Sequence, residues 1–383
     1  MTKLEELIQK LCPNGVEHKP LNEVSEMKRG TSITKKDIVE GEIPVVSGGR
    51  EPAYYCDKYN RDGETITVAG SGAGAGYVQY WTKPIFVCDA FSIQGNPGIQ
   101  TKYIYYFLTN IQDYMYSTKK GGGVPHVHIS SIENVSVPVP PLPVQREIVR
   151  ILDNFTELTA ELTAELTARK QQYAYYRDKL LSTNNSSVPV VELRDIVKKS
   201  CSGATPAKGN AEYYENGTIP WIRTQDVRFN EITEVNSYIT EKAVSETATK
   251  WIPENCVIVA ISGATAGRCA INKIKATTNQ HCLNLIIDDS MALYRYVFHC
   301  LCSKYEELIS RKQGARGDLN SSLILSLPIS IPSLEVQKRL VEVLDNFDAI
   351  CTDLNIGLPA EIEARQKQYE YYRDKLLTFT PAD

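Results

Sequence analysis

The sequence predicts an α+β protein with a pseudo-twofold internal repeat: two similar globular α/β units separated by two long antiparallel, coiled-coil-like helices. Three observations carry this. Residues 145–155, QREIVRILDNF, return at 337–347 as QKRLVEVLDNF, an offset of 192. Residues 169–181, RKQQYAYYRDKLL, return at 365–377 as RQKQYEYYRDKLL, an offset of 196. Between the first two blocks stands TELTAELTAELTA (156–168), in the segment where the two copies differ in length by four residues (196 − 192). Repetition on this scale marks structural units used twice.

Each element follows from local pattern. LEELIQKL (4–11) is a short amphipathic helix in an N-terminal segment, 1–18, expected to pack with the distal helical region. In the first globular unit, 19–143, EIPVVSGG, ETITVAGSG, KPIFVCDAFSI and NVSVPVP read as strands punctuated by Gly and Pro, with one helix over 103–116. From 144 to 183 runs a central helix: Val144, Ile148, Ile151, Phe155, Leu158, Leu162, Leu166, Tyr173, Tyr176 and Leu180 fall at steps of three, four or seven. The second unit, 189–335, repeats the strand pattern in GTIPWIRTQDV, NCVIVAISG, HCLNLIIDD and LSLPISIP, with one helix over 293–309. A distal helix, 336–378, carries the matching stripe, and Gly357 with Pro359 predicts a break or kink inside it. Each helix leads out of a globular unit and the two stripes match, so the helices suit each other as an antiparallel pair.

Bulk composition narrows the function. With 383 residues, 42% hydrophobic and 23% charged, the chain is globular and has more than one domain. A net charge of −4 argues against a diffuse nucleic-acid coat and leaves local basic patches as the route to DNA. The ten cysteines include no CxxC pair and read as reduced and mostly buried, with no metal site. No apolar run reaches the roughly 20 residues that span a bilayer, and the start lacks a signal peptide's apolar core, so a cytoplasmic protein is expected. GSGAGAG (70–76) departs from G-x-G-x-x-G and reads as a tight turn. His18, His126, His128, His281 and His299 form no spaced metal or triad set, and no catalytic residue is assigned.

Four residues is neither the period of a straight helix nor that of a coiled coil, so packing alone does not demand the TAEL stutter. One added tetrapeptide lengthens a helix by about 6 Å and turns its far end by about 40°. A B-DNA base pair step is about 3.4 Å. The unit Thr159, Ala160, Glu161 and Leu162 is therefore read as one step of a ruler that spaces two DNA-reading ends.

The chain resembles the specificity subunit of type I restriction-modification systems. The resemblance rests on LCPNGVEHKPLNEV (11–24), CSGATPAKGNAEYY (201–214) with GTIPWIRTQDV (217–227), the two QREIVRILDNF-like blocks and the two Q-x-Y-x-Y-Y-R-D-K-L-L blocks with TAEL units between. It implies two target recognition domains that each read half of a bipartite double-stranded DNA site. It implies helices that set the spacer and dock two modification (methyltransferase) subunits, with restriction subunits as further partners. No cofactor is expected on this chain: S-adenosylmethionine, ATP and Mg would sit on the partners. The Gly357 and Pro359 interruption departs from a clean distal helix.

A DNA reader needs cations for phosphates and hydrogen-bonding side chains for base edges. In the first unit the candidates are Lys28, Arg29, Lys35, Lys36, Arg50, Lys119, Lys120 and His126. In the second they are Lys198, Lys199, Lys208, Arg223, Gln225, Arg268, Arg311, Lys312, Gln313 and Arg316. The glycine-rich loops KKGGGVPHVHISS and SRKQGARGDLNSS occupy equivalent places before the last strand of each unit, which favours them. The repeated Tyr173, Tyr175, Tyr176, Arg177 and Tyr369, Tyr371, Tyr372, Arg373 are assigned to partner interfaces, where Tyr and Arg are enriched. Two other functional classes would leave different marks. An adenine methyltransferase would carry N/D-P-P-Y/F, which is absent, and a nuclease would need clustered carboxylates near a lysine. A coiled-coil scaffold would show no salt-dependent DNA affinity.

Overall fold

The computed structural model describes residues 2–33, 39–121, 123–182, 187–312, 318–353 and 355–382. It divides into two units by mutual contact, the first made of Met1–Thr163 with Glu361–Asp383 and the second of Ala164–Ala360. The first holds α1 (Lys3–Leu11), β1 (His18–Pro20), α2 (Leu21–Val24), β2 (Ser25–Arg29), β3 (Ile43–Val46), β4 (Tyr54–Cys56), β5 (Thr65–Ala69), β6 (Val78–Trp81), β7 (Phe86–Val87), β8 (Ala90–Gly95), α3 (Thr101–Asn110), α4 (Gln112–Ser117), β9 (Ser136–Pro138) and the start of α5 (Leu142–Leu180). The second holds the end of α5 and β10 (Val190–Glu192), β11 (Val197–Ser202), β12 (Ile219–Ile222), β13 (Asn230–Ile232), β14 (Tyr238–Ile239), α6 (Glu241–Glu246), β15 (Trp251–Ile252), β16 (Val257–Ala260), β17 (Cys269–Asn272), β18 (Ala276–Thr278), β19 (Cys282–Ile287), α7 (Tyr294–Ser303), α8 (Tyr305–Ser310), α9 (Ser321–Leu325), β20 (Pro328–Ser330) and α10 (Leu334–Thr352). From Glu361 onward, α11 (Leu358–Leu376) belongs to the first unit.

The repeat is legible in the sheets. The first unit pairs β2-β8-β5-β6, β4-β3-β7 and β1-β9; the second pairs β11-β19-β16-β17-β13, β14-β12-β18-β15 and β10-β20. The central strands TITVA and VIVA are buried at every residue, as continuous β-branched runs covered on both faces should be. Along β16 the residues alternate between two cores: Val257 and Val259 face α7, while Ile258 and Ala260 face the second sheet.

The repeated helical blocks have specific tasks. Buried Gln145 accepts from the Gln100 amide (2.8 Å) and donates to the Pro140 carbonyl (2.8 Å); Gln337 accepts from Leu293 (2.9 Å) and donates to Pro332 (2.9 Å). The aspartates of the two LDNF runs tie the long helices to the globular ones. Asp153 pairs with Lys102 (2.8 Å) and accepts from Tyr106 (2.5 Å); Asp345 pairs with Arg295 (2.5 Å) and His299 (2.7 Å). Burial alone would raise the Asp345 carboxyl, but the bonds from His299 and Arg295 outweigh it and hold it below its ordinary value.

The helices differ from expectation in detail. The helix predicted over 103–116 is two short ones, α3 and α4, and that over 293–309 is α7 and α8, because Ile111 and Lys304 leave helical geometry (ψ 28° and 14°); the short α2, α6 and α9 were not predicted. The bend turns Met115 and Leu308 fully into their cores, a tertiary demand with no Gly or Pro to announce it. The distal helix is interrupted between Thr352 and Leu358, and a Cβ on Gly357 would lie 2.6 Å from the Ala349 carbonyl. The long helices also share the unit cores rather than standing apart. Val144, Ile148, Leu152 and Leu377 join the first core with Leu4, Cys12 and Val16, and Leu181 and Leu344 join the second. In the first unit Phe155 stacks on Tyr372 (5.5 Å), while Ile151 and Leu376, one turn away, line a shared cavity. Those two helical segments therefore run antiparallel.

Candidate nucleic-acid interface

In the first unit three loops meet at one end of the main sheet. Gly70, just after β5, donates to the Asp89 carbonyl (3.0 Å) and accepts from Val127 (3.0 Å), and Gly72 donates to Pro125 (3.0 Å). The turn after β3 closes on them. A Cβ on Gly48 would lie 2.2 Å from the Ser71 carbonyl, and one on Gly74 would lie 2.4 Å from the Gly48 carbonyl. The GSGAGAG run is thus small because backbone packs on backbone there.

This junction carries several predicted cations. The Arg50 guanidinium lies 5.0 Å from the Tyr77 ring centre and the Lys119 ammonium 4.5 Å from that of Tyr116. Lys120 and His126 exchange backbone hydrogen bonds (2.9 and 2.8 Å) that pin the base of the glycine-rich loop, and His126 stacks on His128 at 6.0 Å. Lys28 and Arg29 pair across with Ser92 and Phe91, at the same end of the sheet; Lys28 is held by Glu26 (2.7 Å). Lys35 and Lys36 lie outside the described residues.

The second unit repeats the junction. Ile261, after β16, donates to the His281 carbonyl (2.9 Å) and accepts from Leu319 (2.8 Å), at the exit of the second glycine-rich loop. Half-exposed Arg268 closes the SGATAG turn, where its amide donates to Thr265 (3.0 Å). Gln225 is exposed, and its carbonyl accepts from Arg228 (2.6 Å). Lys208 and Arg223 line one cavity.

Other candidates are placed elsewhere. Lys198 and Lys199 sit where β11 starts beside Ile287 and Ile286, the far end of the sheet from His281. Arg311 pairs with Glu307 and donates to the Leu323 carbonyl (3.2 Å), which commits it to fixing the α8–α9 connection. Lys312 is half-exposed, while Gln313 and Arg316 lie outside the described residues. Sequence reading missed Asn236, Tyr238 and Gln280, which share the cavity of Lys208 and Arg223. They come from separate strands and turns, so no linear pattern joins them.

Comparison with known proteins fits this doubled architecture. The family model described as the type I restriction modification DNA specificity domain matches residues 13–169 and 185–364. The chain belongs to the type I restriction-modification specificity family. It is similar to the EcoR124I/EcoR124II type I restriction enzyme specificity subunit of Escherichia coli, with 38% identity over 73% of this chain and 70% of that one. It is also similar to a putative type I restriction enzyme specificity subunit of Haemophilus influenzae, with 29% identity over 99% of each. Among solved structures, the type I restriction-modification S subunit of M. genitalium matches with a TM-score of 0.57 at 17% identity, covering 94% of each chain. A chain from a study of type I restriction-modification complex assembly and conformational transition matches with a TM-score of 0.66 at 17% identity, over 95% of this chain and 98% of that one. This specificity subunit is accordingly the DNA-specifying, non-catalytic member of such a system. No helix among the described residues is long and apolar enough to cross a membrane.

The repeated tyrosines of the specificity subunit divide by position. Tyr173 and Tyr369 turn into their own units: Tyr173 packs on the second core with its hydroxyl 3.4 Å from His299 Nδ1, and Tyr369 packs on the first. Arg177 and Arg373 lie over those rings (5.7 and 5.6 Å) and pair with Asp178 and Asp374 (2.8 and 2.9 Å). These four serve the fold rather than a free surface. Tyr175 and Tyr371 are 60% and 62% exposed, each set edge-on to its neighbour, Tyr176 or Tyr372, at 5.3 Å. In the spacer, Thr159 donates back to the Phe155 carbonyl (2.9 Å), Leu162 is half-buried, and Ala160 and Glu161 are exposed.

Proposed function

We propose that the two units divide a bipartite double-stranded DNA site between them, each reading one half-site through its loop junction. The observation that carries this reading is the recurrence of the junction. In each unit a glycine turn, a glycine-rich loop and the residue before the long strand are hydrogen-bonded together, with cations around them. A helical spacer of TAEL units sets the gap, and the exposed Tyr175, Tyr176, Tyr371 and Tyr372 belong to surfaces that dock two modification subunits. Restriction subunits complete the system, with S-adenosylmethionine, ATP and Mg on the partners. In this reading the N-terminal segment 1–18 and the distal helix from Glu361 onward form one element of the first unit, and the complex works in the cytoplasm.

The test is a map of methylated adenines across the native genome with and without this gene. Loss of methylation at one split motif of fixed gap is the expected result, and an unchanged map in cells that express the modification subunit would overturn it. Affinity of the assembled complex for that motif should fall steeply as salt rises, as phosphate neutralisation requires.

A further inference from the structure

We infer that the second unit holds a pocket for a single nucleobase turned out of the DNA duplex, formed by Trp221, Arg223, Asn236, Tyr238 and Gln280 with Lys208 at its mouth. The inference rests on the DNA-reading role proposed above. The cavity measures about 670 Å³, within the roughly 300–1,000 Å³ range of small-molecule sites. Trp221 is 7% exposed and its indole donates to the Ala204 carbonyl (3.1 Å), which makes it a fixed floor, while Tyr238 is 43% exposed and offers a free ring. The Arg223 guanidinium lies 6.0 Å from the Trp221 ring centre, and its Nε is buried without a hydrogen-bond partner. A buried, unpartnered donor is costly unless a ligand acceptor completes it. None of the lining residues is acidic, which suits a nucleotide rather than a cation.

Shape decides between reading in the groove and reading outside it. Base edges in the major groove are read by elements that project into the groove. A cavity of this size and lining suits a base that has left the helix, since flipped bases are held by stacking on aromatic rings and by hydrogen bonds to the Watson–Crick edge. Rings at the floor and wall, side-chain amides of Asn236 and Gln280, and Lys208 for a flanking phosphate supply that chemistry. The first unit keeps only part of it: exposed Tyr55 stands opposite Pro44 as Tyr238 stands opposite Pro220, but the floor and the cation are missing. By strand pairing, Val45 stands where Trp221 does, and Ser47 where Arg223 does.

The test is a mismatch scan through both half-sites of the mapped DNA motif, with the assembled specificity–modification complex. Mismatching a base that must flip lowers the cost of extrusion and tightens binding, whereas mismatching a base read in the duplex weakens it. Apart from the methylated adenines, one position in the second unit's half-site should tighten on the order of tenfold when its partner is mismatched. Arg223→Ala and, separately, Tyr238→Ala should abolish that tightening and leave all first-half-site responses unchanged, which also reports that the variant is folded. No such position, or a tightening that survives both substitutions, overturns the inference while leaving DNA reading intact. Displacement of the DNA by free mononucleotides with no mismatch effect would mean a nucleotide site instead, and overturns it equally. Failure of the wild-type complex to bind the motif at all would defeat the underlying reading of the two units.

Discussion

At the residue scale, steric demands explain several small residues that composition alone leaves unmotivated. Gly30 and Gly203 follow equivalent strands, and a Cβ on them would lie 2.0 Å from the Cys88 carbonyl and 1.8 Å from that of Thr278. Gly209, nearby in sequence, has open space around it. Gly203→Ala should therefore destabilise the second unit by about 1–3 kcal/mol, and Gly209→Ala should stay within about 0.5 kcal/mol of wild type, both read by chemical denaturation. A residue-scale pH effect follows from Glu147, whose side chain is 4% exposed beneath Arg150 (2.7 Å) and Lys3 (2.9 Å). The hydrogen bond from Arg150 first, then that from Lys3, overcomes burial and brings the carboxyl down to about 2 from 4.5. A depressed carboxyl stabilises the fold above its unfolded pKa, so this contribution is complete above pH 4.5 and is lost as pH falls towards 2. Glu147→Gln should flatten that part of the acid-unfolding curve.

At the scale of elements, the sequence was most legible where a period or a repeat was long. The α5 stripe, the doubled LDNF and Y-x-Y-Y-R blocks and the glycine turns all stood in the chain as patterns. What they do was not legible: Asp153 and Asp345 find their cations on α3 and α7, about 50 residues upstream, and only folding brings them together. The helix breaks at Ile111 and Lys304 escaped because core packing, not a local breaker, imposes them. Of the site, the loops were legible and the pocket was not, since Trp221, Tyr238 and Gln280 converge from three elements. The spacer is the element whose role is easiest to isolate. The helix runs unbroken from Leu142 to Leu180 through the repeat, although Thr156, Thr159 and Thr163 each donate to the carbonyl four residues back (3.0, 2.9 and 2.8 Å), a bond that tends to bend a helix. Deleting Thr159 to Leu162 should shorten it by about 6 Å, change the gap of the methylated motif by one or two base pairs, and leave both half-sites as they were. Methylation mapping of the deletion strain checks this, and altered half-sites would defeat the ruler.

At the scale of the whole molecule, the chain order and the folded order differ. The first unit is discontinuous in sequence: it begins at the N-terminus and is completed by Glu361–Asp383, while the second takes the end of α5 as its own. The two RDKLL runs therefore end in different cores. Leu377 is 3% exposed among Leu4, Val16 and Leu152, and Leu181 is 3% exposed among Leu193, Ile329 and Leu344. Sequence position would assign Leu377 to the second globular unit, which it follows, and Leu181 to the first. The cores assign them the other way. Leu377→Ala should cost the first unit roughly 2–5 kcal/mol by opening a cavity, and Leu181→Ala should cost the second unit the same. Hydrogen exchange followed peptide by peptide separates the two. With Leu377→Ala, protection should fall across β5 and β8 and persist across β16 and β19; with Leu181→Ala the pattern should reverse. Loss of protection in β16 and β19 on removing Leu377 would mean that α11 serves the unit it follows, and the assignment of Glu361–Asp383 to the first unit would be wrong.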